Sequence, residues 1–312
     1  MKLSTLRLAL APRGETAHRP IVGVACMLLG CLILTANDAL IKRLVEDMSV
    51  GQTISLRGLI GFVMTVLLAQ ALGGLGRLRP RSVRNASVLT AMLVANLFLF
   101  PMSLRHIPLA EAIMLAYLSP IVVAALSPWL LAEHVGWRRW SAVVVGLIGA
   151  ALVIDPAGGT LHPAVALPLI VAVMVGLRDI FTRRWIRGES ALALVAAANL
   201  CAFGLGLFTV PFGWYPPTAE EWLYIVLAAS LFTAAQFLLV TSFRFAEAPV
   251  LACLKFSAIA WAAAFGWIFW GEALSAADWI GALLIAVSGV VISLRTRTGK
   301  DEDTPARQST TF

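Results

Sequence analysis

The sequence predicts an all-α integral membrane fold: ten transmembrane helices built as two inverted five-helix repeats around a central cavity. Three observations predict it. The 312 residues are 60% hydrophobic and only 13% charged, with a mean hydropathy of +0.87, against about 45–50% apolar and about 25% charged in a typical soluble domain. Apolar segments of spanning length recur along nearly the whole chain. The second half repeats motifs of the first at a fixed offset, in an opposite charge environment. The composition excludes an ordinary soluble enzyme and a disordered chain. The formal charge of +7 belongs against one face of a membrane rather than on nucleic acid, because Lys and Arg collect on one side of spanning proteins.

A transmembrane helix needs about 20 predominantly apolar residues. Ten segments qualify, at roughly 20–44, 50–72, 86–104, 109–131, 137–154, 163–184, 190–211, 221–243, 249–270 and 276–294. The first follows a charged leader that runs to Arg19. It is too long for the apolar part of a signal peptide, and it leads into Asn37 and Asp38 without an A-x-A site, so no cleaved leader is expected. The fourth opens at Pro108 and carries Pro120 midway, which should free a backbone carbonyl and kink the helix. The fifth is short. The sixth contains Pro168, Arg178 and Asp179. The fifth and tenth are rich in Ala and Gly, which suits close helix packing. The loops are too short for a separate soluble domain. The division is a polar tail (1–19), a first repeat (20–154), a second repeat (155–294) and a second polar tail (295–312).

Orientation follows from the bases in short loops. One side collects Lys2, Arg7, Arg13 and Arg19; Arg77, Arg79, Arg81 and Arg84; Arg138 and Arg139; Arg183, Arg184 and Arg187; Arg244; and Arg295, Arg297 and Lys300. The other collects Glu46, Asp47, Asp155, Glu220, Glu221, Glu272 and Asp278, with Lys42, Arg43 and Arg105 as its bases. Both termini are therefore expected in the cytoplasm of a bacterial inner membrane, which requires an even number of spans. Most tryptophans fall at span ends, as an interfacial belt requires, and Trp261 is the mid-span exception. Cys26, Cys31, Cys201 and Cys253 all lie within spans and read as small packing residues.

Self-similarity is more informative. Arg105 and Arg244, Glu133 and Glu272, and Trp140 and Trp279 are each 139 residues apart. A weaker match at offset 141 pairs Asp38…Lys42-Arg43 with Asp179…Arg183-Arg184. Each copy holds an odd number of spans, so the second must lie upside down relative to the first. Arg138 and Arg139 follow the first Glu motif, whereas Ala277 and Asp278 stand at the matching positions of the second. Inverted repeats are the construction of secondary transporters, whose halves exchange conformations around a midplane site. Ile259 stands where Pro120 would repeat, so the two halves are not expected to be symmetric at the kink.

The stretch Trp270-Gly-Glu272-Ala-Leu through Trp279-Ile-Gly-Ala-Leu-Leu-Ile-Ala-Val-Ser-Gly289 resembles the end of an EamA domain. Two such domains in tandem resemble the drug/metabolite transporter superfamily, over about residues 20–294. The first copy of the motif, Leu131-Ala-Glu133, lacks the preceding Gly. The resemblance implies ten helices, a central cavity and movement of small metabolites, without naming one. The Asn37-Asp38-Ala-Leu-Ile-Lys42 opening is similar to members associated with uptake of S-adenosylmethionine or riboflavin.

Ionisable residues inside spans cost about 2.5–3.5 kcal/mol each on insertion scales, so each is a functional candidate. Asp38, Arg57, Asp179 and Lys255 are expected to bring charge to the cavity, with Tyr117, Asn199, Gln236 and Trp261 on its walls. Lys42, Glu111 and Arg183 are expected as gating charges nearer the mouths. The competing reading makes Asp38–Lys42 and Asp179–Arg183 intrahelical pairs four residues apart, with the bases snorkelling to headgroups. Glu133 and Glu272, at helix ends, read as loop-setting carboxylates or partners for positive groups. No HExxH, Gly-x-Ser-x-Gly, Walker A or paired-Cys motif occurs, so no catalytic residue, metal or cofactor is expected. The expected partners are a small organic metabolite such as an amino acid or related zwitterionic or amphipathic compound, the lipid bilayer, and a proton or other coupling ion. Asp38, Asp179 and Glu111 are the proton carriers available. No nucleic acid is expected, and the state is monomer or homodimer. The alternatives from other classes are a non-transporting receptor or assembly factor and a lipid flippase.

Overall fold

The computed structural model describes residues 20–71, 73–80, 82–130, 136–154, 162–185, 191–246 and 248–302, without the side chains of Arg77, Arg138, Arg139, 182–185, Arg244 and 293–302 among others. The expectations for Glu133, Asp155, Arg187 and both polar tails up to 19 and from 303 lie outside the described residues, as does the Arg183 side chain. Among the described residues the fold is all-α. The helices are α1 (Pro20–Asp47), α2 (Val50–Ala71), α3 (Val83–Leu104), α4 (Leu109–Ala116), α5 (Ser119–Leu130), α6 (Trp137–Ile154), α7 (Ala166–Trp185), α8 (Ala191–Leu207), α9 (Ala219–Phe245), α10 (Ala248–Lys255), α11 (Ser257–Trp270) and α12 (Ala276–Glu302).

Among the described residues, seven stretches are long and apolar enough to cross a membrane: Ile21–Asp47, Val50–Ala71, Val83–Leu104, Leu109–Leu130, Pro163–Phe181, Ala219–Leu239 and Cys253–Trp270. Three shorter apolar helices, Trp140–Ile154, Leu192–Leu207 and Ala276–Ile292, lie on the remaining expected segments. The surface is that of a protein solvated by lipid. Ile21, Trp137, Leu205, Phe208, Trp267, Phe269 and Leu283 are exposed, while Asn37, Gln52, Thr53, Ser55, Arg57 and Asn199 are buried. A soluble protein keeps such polar side chains on the outside.

Lipid removes the hydrophobic drive between helices, so close backbone approach and buried hydrogen bonds must hold them together. The α6–α12 contact shows how. A methyl group built on Gly149 would meet the Gly281 carbonyl oxygen at 2.8 Å, and one on Gly281 would meet the Gly149 carbonyl at 2.6 Å. The two glycines let the backbones touch. Further pairings join α1 to α9, α2 to α8 and α3 to α7. The α2–α8 seam is also tied by Ser55, whose Oγ donates to the Phe203 carbonyl (2.9 Å).

Local signals fix the helix starts at one end of the bundle. α9 begins with a capping box: Thr218 N–H donates to Glu221 Oε2 (2.6 Å), and Glu221 N–H donates to Thr218 Oγ1 (3.3 Å). α12 repeats it with Ser275 and Asp278, at 2.7 and 3.2 Å. Four unsatisfied amides at each helix start explain why these acids sit there. Glu221 and Asp278, which read as part of an acidic face, are caps.

The expected break in the fourth span is present: α4 ends at Ala116 and α5 starts at Ser119, with Pro120 in its first turn. The ninth span breaks too, contrary to the asymmetry expected from Ile259. α10 ends at Lys255 and α11 starts at Ser257. The breaks fall 139 residues apart (116 and 255). Tight i→i+3 turns carry both, with Leu118 N–H to Leu115 O (3.1 Å) and Phe256 N–H to Cys253 O (3.3 Å). Proline is sufficient for such a break but not required. At the two breaks, Tyr117 and Phe256 meet with their rings tilted by 53° and ring centres 5.5 Å apart.

Candidate functional site

Two groups of buried polar side chains stand out. The first lies where the C-terminal end of α1, the start of α4 and the end of α11 converge. α11 stops at Gly271, whose φ of +66° is a left-handed conformation that glycine adopts without penalty. Gly271 N–H bonds to Trp267 O, the bond of an αL cap, and Glu272 N–H reaches back to Gly266 O, which folds Glu272 over Gly266. Thus aimed, Glu272 Oε1 forms an ion pair with Lys42 Nζ, and its Oε2 accepts from Leu109 N–H (3.0 Å), an orphan amide in the first turn of α4. Lys42 Nζ also reaches the Ile107 carbonyl (3.5 Å) and sits 4.8 Å from the Trp270 ring centre. Trp270 Nε1–H donates to Glu46 (2.5 Å). Glu111 is half-buried within electrostatic range of Lys42, Glu272 and Asp278. One carboxylate therefore ties three helices. Glu272 both sets its loop and holds a positive group, as its position suggested. Lys42 turns to Glu272, not to Asp38, so the intrahelical reading of that pair is set aside.

The second group lies deeper. Arg57 is 4% exposed and about two turns into α2. The guanidinium carbon is 4.7 Å from the centre of the Phe232 ring on α9, and Nη2 has no hydrogen-bond partner. Asn199 on α8 is 2% exposed, and its Nδ2 is also unpartnered. The Asn199 amide lies against Gly61, one helical turn along α2 from Arg57, close enough that a methyl group there would sit 3.1 Å from Nδ2. On α1, Asn37 Nδ2 donates to Asp38 Oδ1 (2.9 Å), while Asn37 Oδ1 has no partner. Asp38 is within electrostatic range of Arg57 and of Tyr117, the aromatic at the α4–α5 break. Among the described residues, no carboxylate comes within ion-pairing distance of Arg57.

The structure thus brings Asp38, Arg57, Asn199 and Tyr117 towards one place. It does not bring Asp179 there, since that carboxylate pairs with its neighbour Arg178 (3.0 Å). Lys255 is exposed at the α10 break, where its carbonyl faces the Cys31 thiol (3.9 Å). Gln236 and Trp261 form no hydrogen bond or ring pair among the described residues, and Trp261 is exposed. Phe232 and Asn37 are additions. Asn37 was legible as the neighbour of a mid-span carboxylate. Phe232 was not, since a mid-span aromatic ordinarily meets lipid or core.

Outside the spans, the Tyr215 hydroxyl donates to Glu221 (2.5 Å), and that bond pushes its pKa up to about 12. Gln52 holds the same segment from inside, accepting from Tyr215 N–H and donating to its carbonyl.

Apolar spanning helices, small-residue seams and ionisable groups turned inward define a multi-pass membrane protein. The EamA-like transporter family model matches residues 21–155 and 162–294, and the chain belongs to that family. It is similar to the pseudopaline exporter of Pseudomonas aeruginosa, 26% identical over 89% of this chain and 97% of that one. It is also similar to a riboflavin transporter of Rhizobium johnstonii (26%, covering 61% and 63%) and an S-adenosylmethionine uptake transporter of Rickettsia prowazekii (22%, covering 48% and 51%). A solved structure superposes with a TM-score of 0.61 at 20% identity, over 89% of this chain and 97% of that one, and shares the fold. The protein is a small-metabolite transporter.

Proposed function

We propose that the chain is a ten-span secondary transporter of the inner membrane, with both termini cytoplasmic, in which two inverted five-helix repeats expose a central site alternately to either side. The observation that carries this reading is the pair of breaks at 116 and 255. They occupy matched positions in the two copies although only one contains proline, and the aromatics beside them, Tyr117 and Phe256, touch each other. The helix pairings support it further. Exchanging the copies turns the α1–α9 contact into α7–α3, and leaves α2–α8 and α6–α12 as themselves. Discontinuous helices at the midplane are where such transporters bind their substrates.

In this reading Asp38, Arg57, Asn199 and Tyr117 hold the substrate, with Gln236, Lys255, Trp261 and Asp179 reached in other states. The Lys42–Glu272 pair, with Glu111 beside it, closes the outer side. Arg183 is the matching charge of the second copy. A proton or another ion, or exchange, drives the cycle.

Flux into proteoliposomes tests the function, with amino acids, S-adenosylmethionine and riboflavin as solutes. Saturable flux of at least one is expected. No flux of any, in protein that is folded and inserted, would favour the receptor reading. Scrambling of labelled lipid would favour a flippase. Uptake of S-adenosylmethionine or riboflavin is the second reading, supported by the two relatives that carry those names.

A further inference from the structure

We propose that the loop between α2 and α3 is a binding site for an anionic phospholipid, whose phosphate is held by Arg79 and Arg84 and whose acyl chains lie against Leu75 and Val83. The site is separate from the central group of polar side chains and is independent of what the protein transports.

The loop is held at the membrane surface. It joins two stretches of spanning length, Val50–Ala71 and Val83–Leu104. After α2, Gly73 (φ +127°) and Gly74 (φ +108°) take backbone conformations that residues with a side chain rarely adopt. Gly74 N–H bonds back to the Ala69 carbonyl (3.0 Å). The chain then forms a short 3₁₀ turn, Leu75–Leu78, which packs on both α2 and α8. The loop therefore lies across the ends of these two helices instead of reaching away into water.

Its side chains combine apolar surface with unanswered positive charge. Leu75 and Val83 are 51% and 72% exposed, and Arg79 and Arg84 are exposed in the same stretch. Arg77 and Arg81 add two further charges there, and no Asp or Glu occurs between Asp47 and Glu111. Among the described residues, no carboxylate lies within ion-pairing distance of Arg79 or Arg84. Arg84 also stands in the first turn of α3, where the helix dipole opposes a cation. A phosphodiester answers these charges, because a guanidinium binds phosphate through two parallel hydrogen bonds. Bases held at the headgroup level are attracted to anionic lipids. A zwitterionic headgroup brings a cation of its own that competes with the arginines; an anionic one does not.

The loop between α8 and α9, at the matching place in the second copy, supplies a comparison. It too holds a 3₁₀ turn, Val210–Phe212, and Phe208 and Phe212 are 76% and 80% exposed. From Leu207 to Thr218 it contains no Lys, Arg, Asp or Glu. Both loops turn apolar side chains outward, as contact with a bilayer requires. The arginines of the first add selection for the sign of the headgroup.

The test uses purified full-length protein in detergent, with phosphatidylglycerol, phosphatidylcholine or inorganic phosphate added at equal concentration and binding read by melting temperature. Phosphatidylglycerol should raise the melting temperature more than phosphatidylcholine does. Raising NaCl from about 0.05 M to about 0.5 M should shrink that difference by about half or more. The double variant Arg79→Gln/Arg84→Gln should lose about half of the difference or more, and should melt like the wild type in phosphatidylcholine. Each single change should show the same loss at smaller size. Arg79→Lys/Arg84→Lys keeps both charges and should keep most of the difference. Arg295→Gln/Arg297→Gln removes the same charge from α12 and should leave the difference unchanged, as should Phe212→Ser. Equal stabilisation by the two lipids would overturn the proposal. So would inorganic phosphate acting as well as phosphatidylglycerol, which would make this a site for a free anion. A loss in the Arg295/Arg297 variant as large as in the Arg79/Arg84 variant would also overturn it, since only the protein's overall charge would then matter.

Discussion

Lys42 and Arg57 are both buried bases, 5% and 4% exposed, on neighbouring helices of the same repeat. Lys42 has an ion pair, a carbonyl and an indole face. Arg57 has a phenyl face and an orphan Nη2. The fold therefore spends its electrostatics in two ways. At the end of the bundle Lys42 and Glu272 answer each other, and the result is a latch across α1, α4 and α11. In the middle, Arg57 has no ion pair among the described residues, and single buried atoms of Arg57, Asn199 and Asn37 have no hydrogen-bond partner. A satisfied group contributes to the protein's own stability. An unsatisfied one lowers that stability and gains its partner from outside.

Substitutions can break or sharpen this contrast. Glu272→Ala should have the largest effect. It strands Lys42 in a buried site and removes the cap on Leu109, and a loss of about 3–5 kcal/mol is expected, read from the thermal midpoint in detergent. The charge swap Lys42→Glu with Glu272→Lys should recover part of it; if the swap is no better than the sum of the two single changes, the pair is not a unit. Arg57→Gln should come next: flux falls about thirty-fold or more with the folded fraction unchanged. Gly281→Val tests the scaffold both groups depend on. A side chain meeting the Gly149 carbonyl must push α6 and α12 apart, at about 1–3 kcal/mol, with no selective effect on ligand affinity. Arg43→Gln should do least. Arg43 is adjacent to Lys42, but its pairs with Glu46 and Asp47 are exposed, and a change within about 0.5 kcal/mol is expected. A large effect at Arg43 would mean that position along α1, not burial and pairing, sets the importance of these bases.

Much of this was legible in the sequence, for physical reasons that also mark the limits. The apolar segments announced themselves because lipid demands length and low charge. Arg57 and Asn199 announced themselves because a polar group inside a span is costly. The Gly and Ala content of the fifth and tenth spans announced close packing, but not that α6 and α12 pack on each other. Glu272 was visible as a terminal carboxylate, but its partner was not. Lys42 lies 230 positions away, and the nearer Asp38 offered a local alternative at helical spacing. The second break was missed because it uses Phe256 and a tight turn rather than proline. Phe232 was missed because nothing in its neighbourhood says that it faces a guanidinium. Local chemistry shows through in a sequence; which side chains meet across helices does not.

The account stands on the claim that the two buried bases differ in kind. Its most direct test is the melting temperature of ligand-free Glu272→Gln and Arg57→Gln proteins against wild type, in one detergent at one pH. Glu272→Gln keeps the acceptor for Leu109 and removes only the charge that Lys42 needs, so it should melt lower. Arg57→Gln should melt closer to the wild type than Glu272→Gln does, because Asp38 lies within electrostatic range of Arg57 without forming an ion pair with it. If Arg57→Gln falls as far as Glu272→Gln, both bases are structural and the central site is not a receptor.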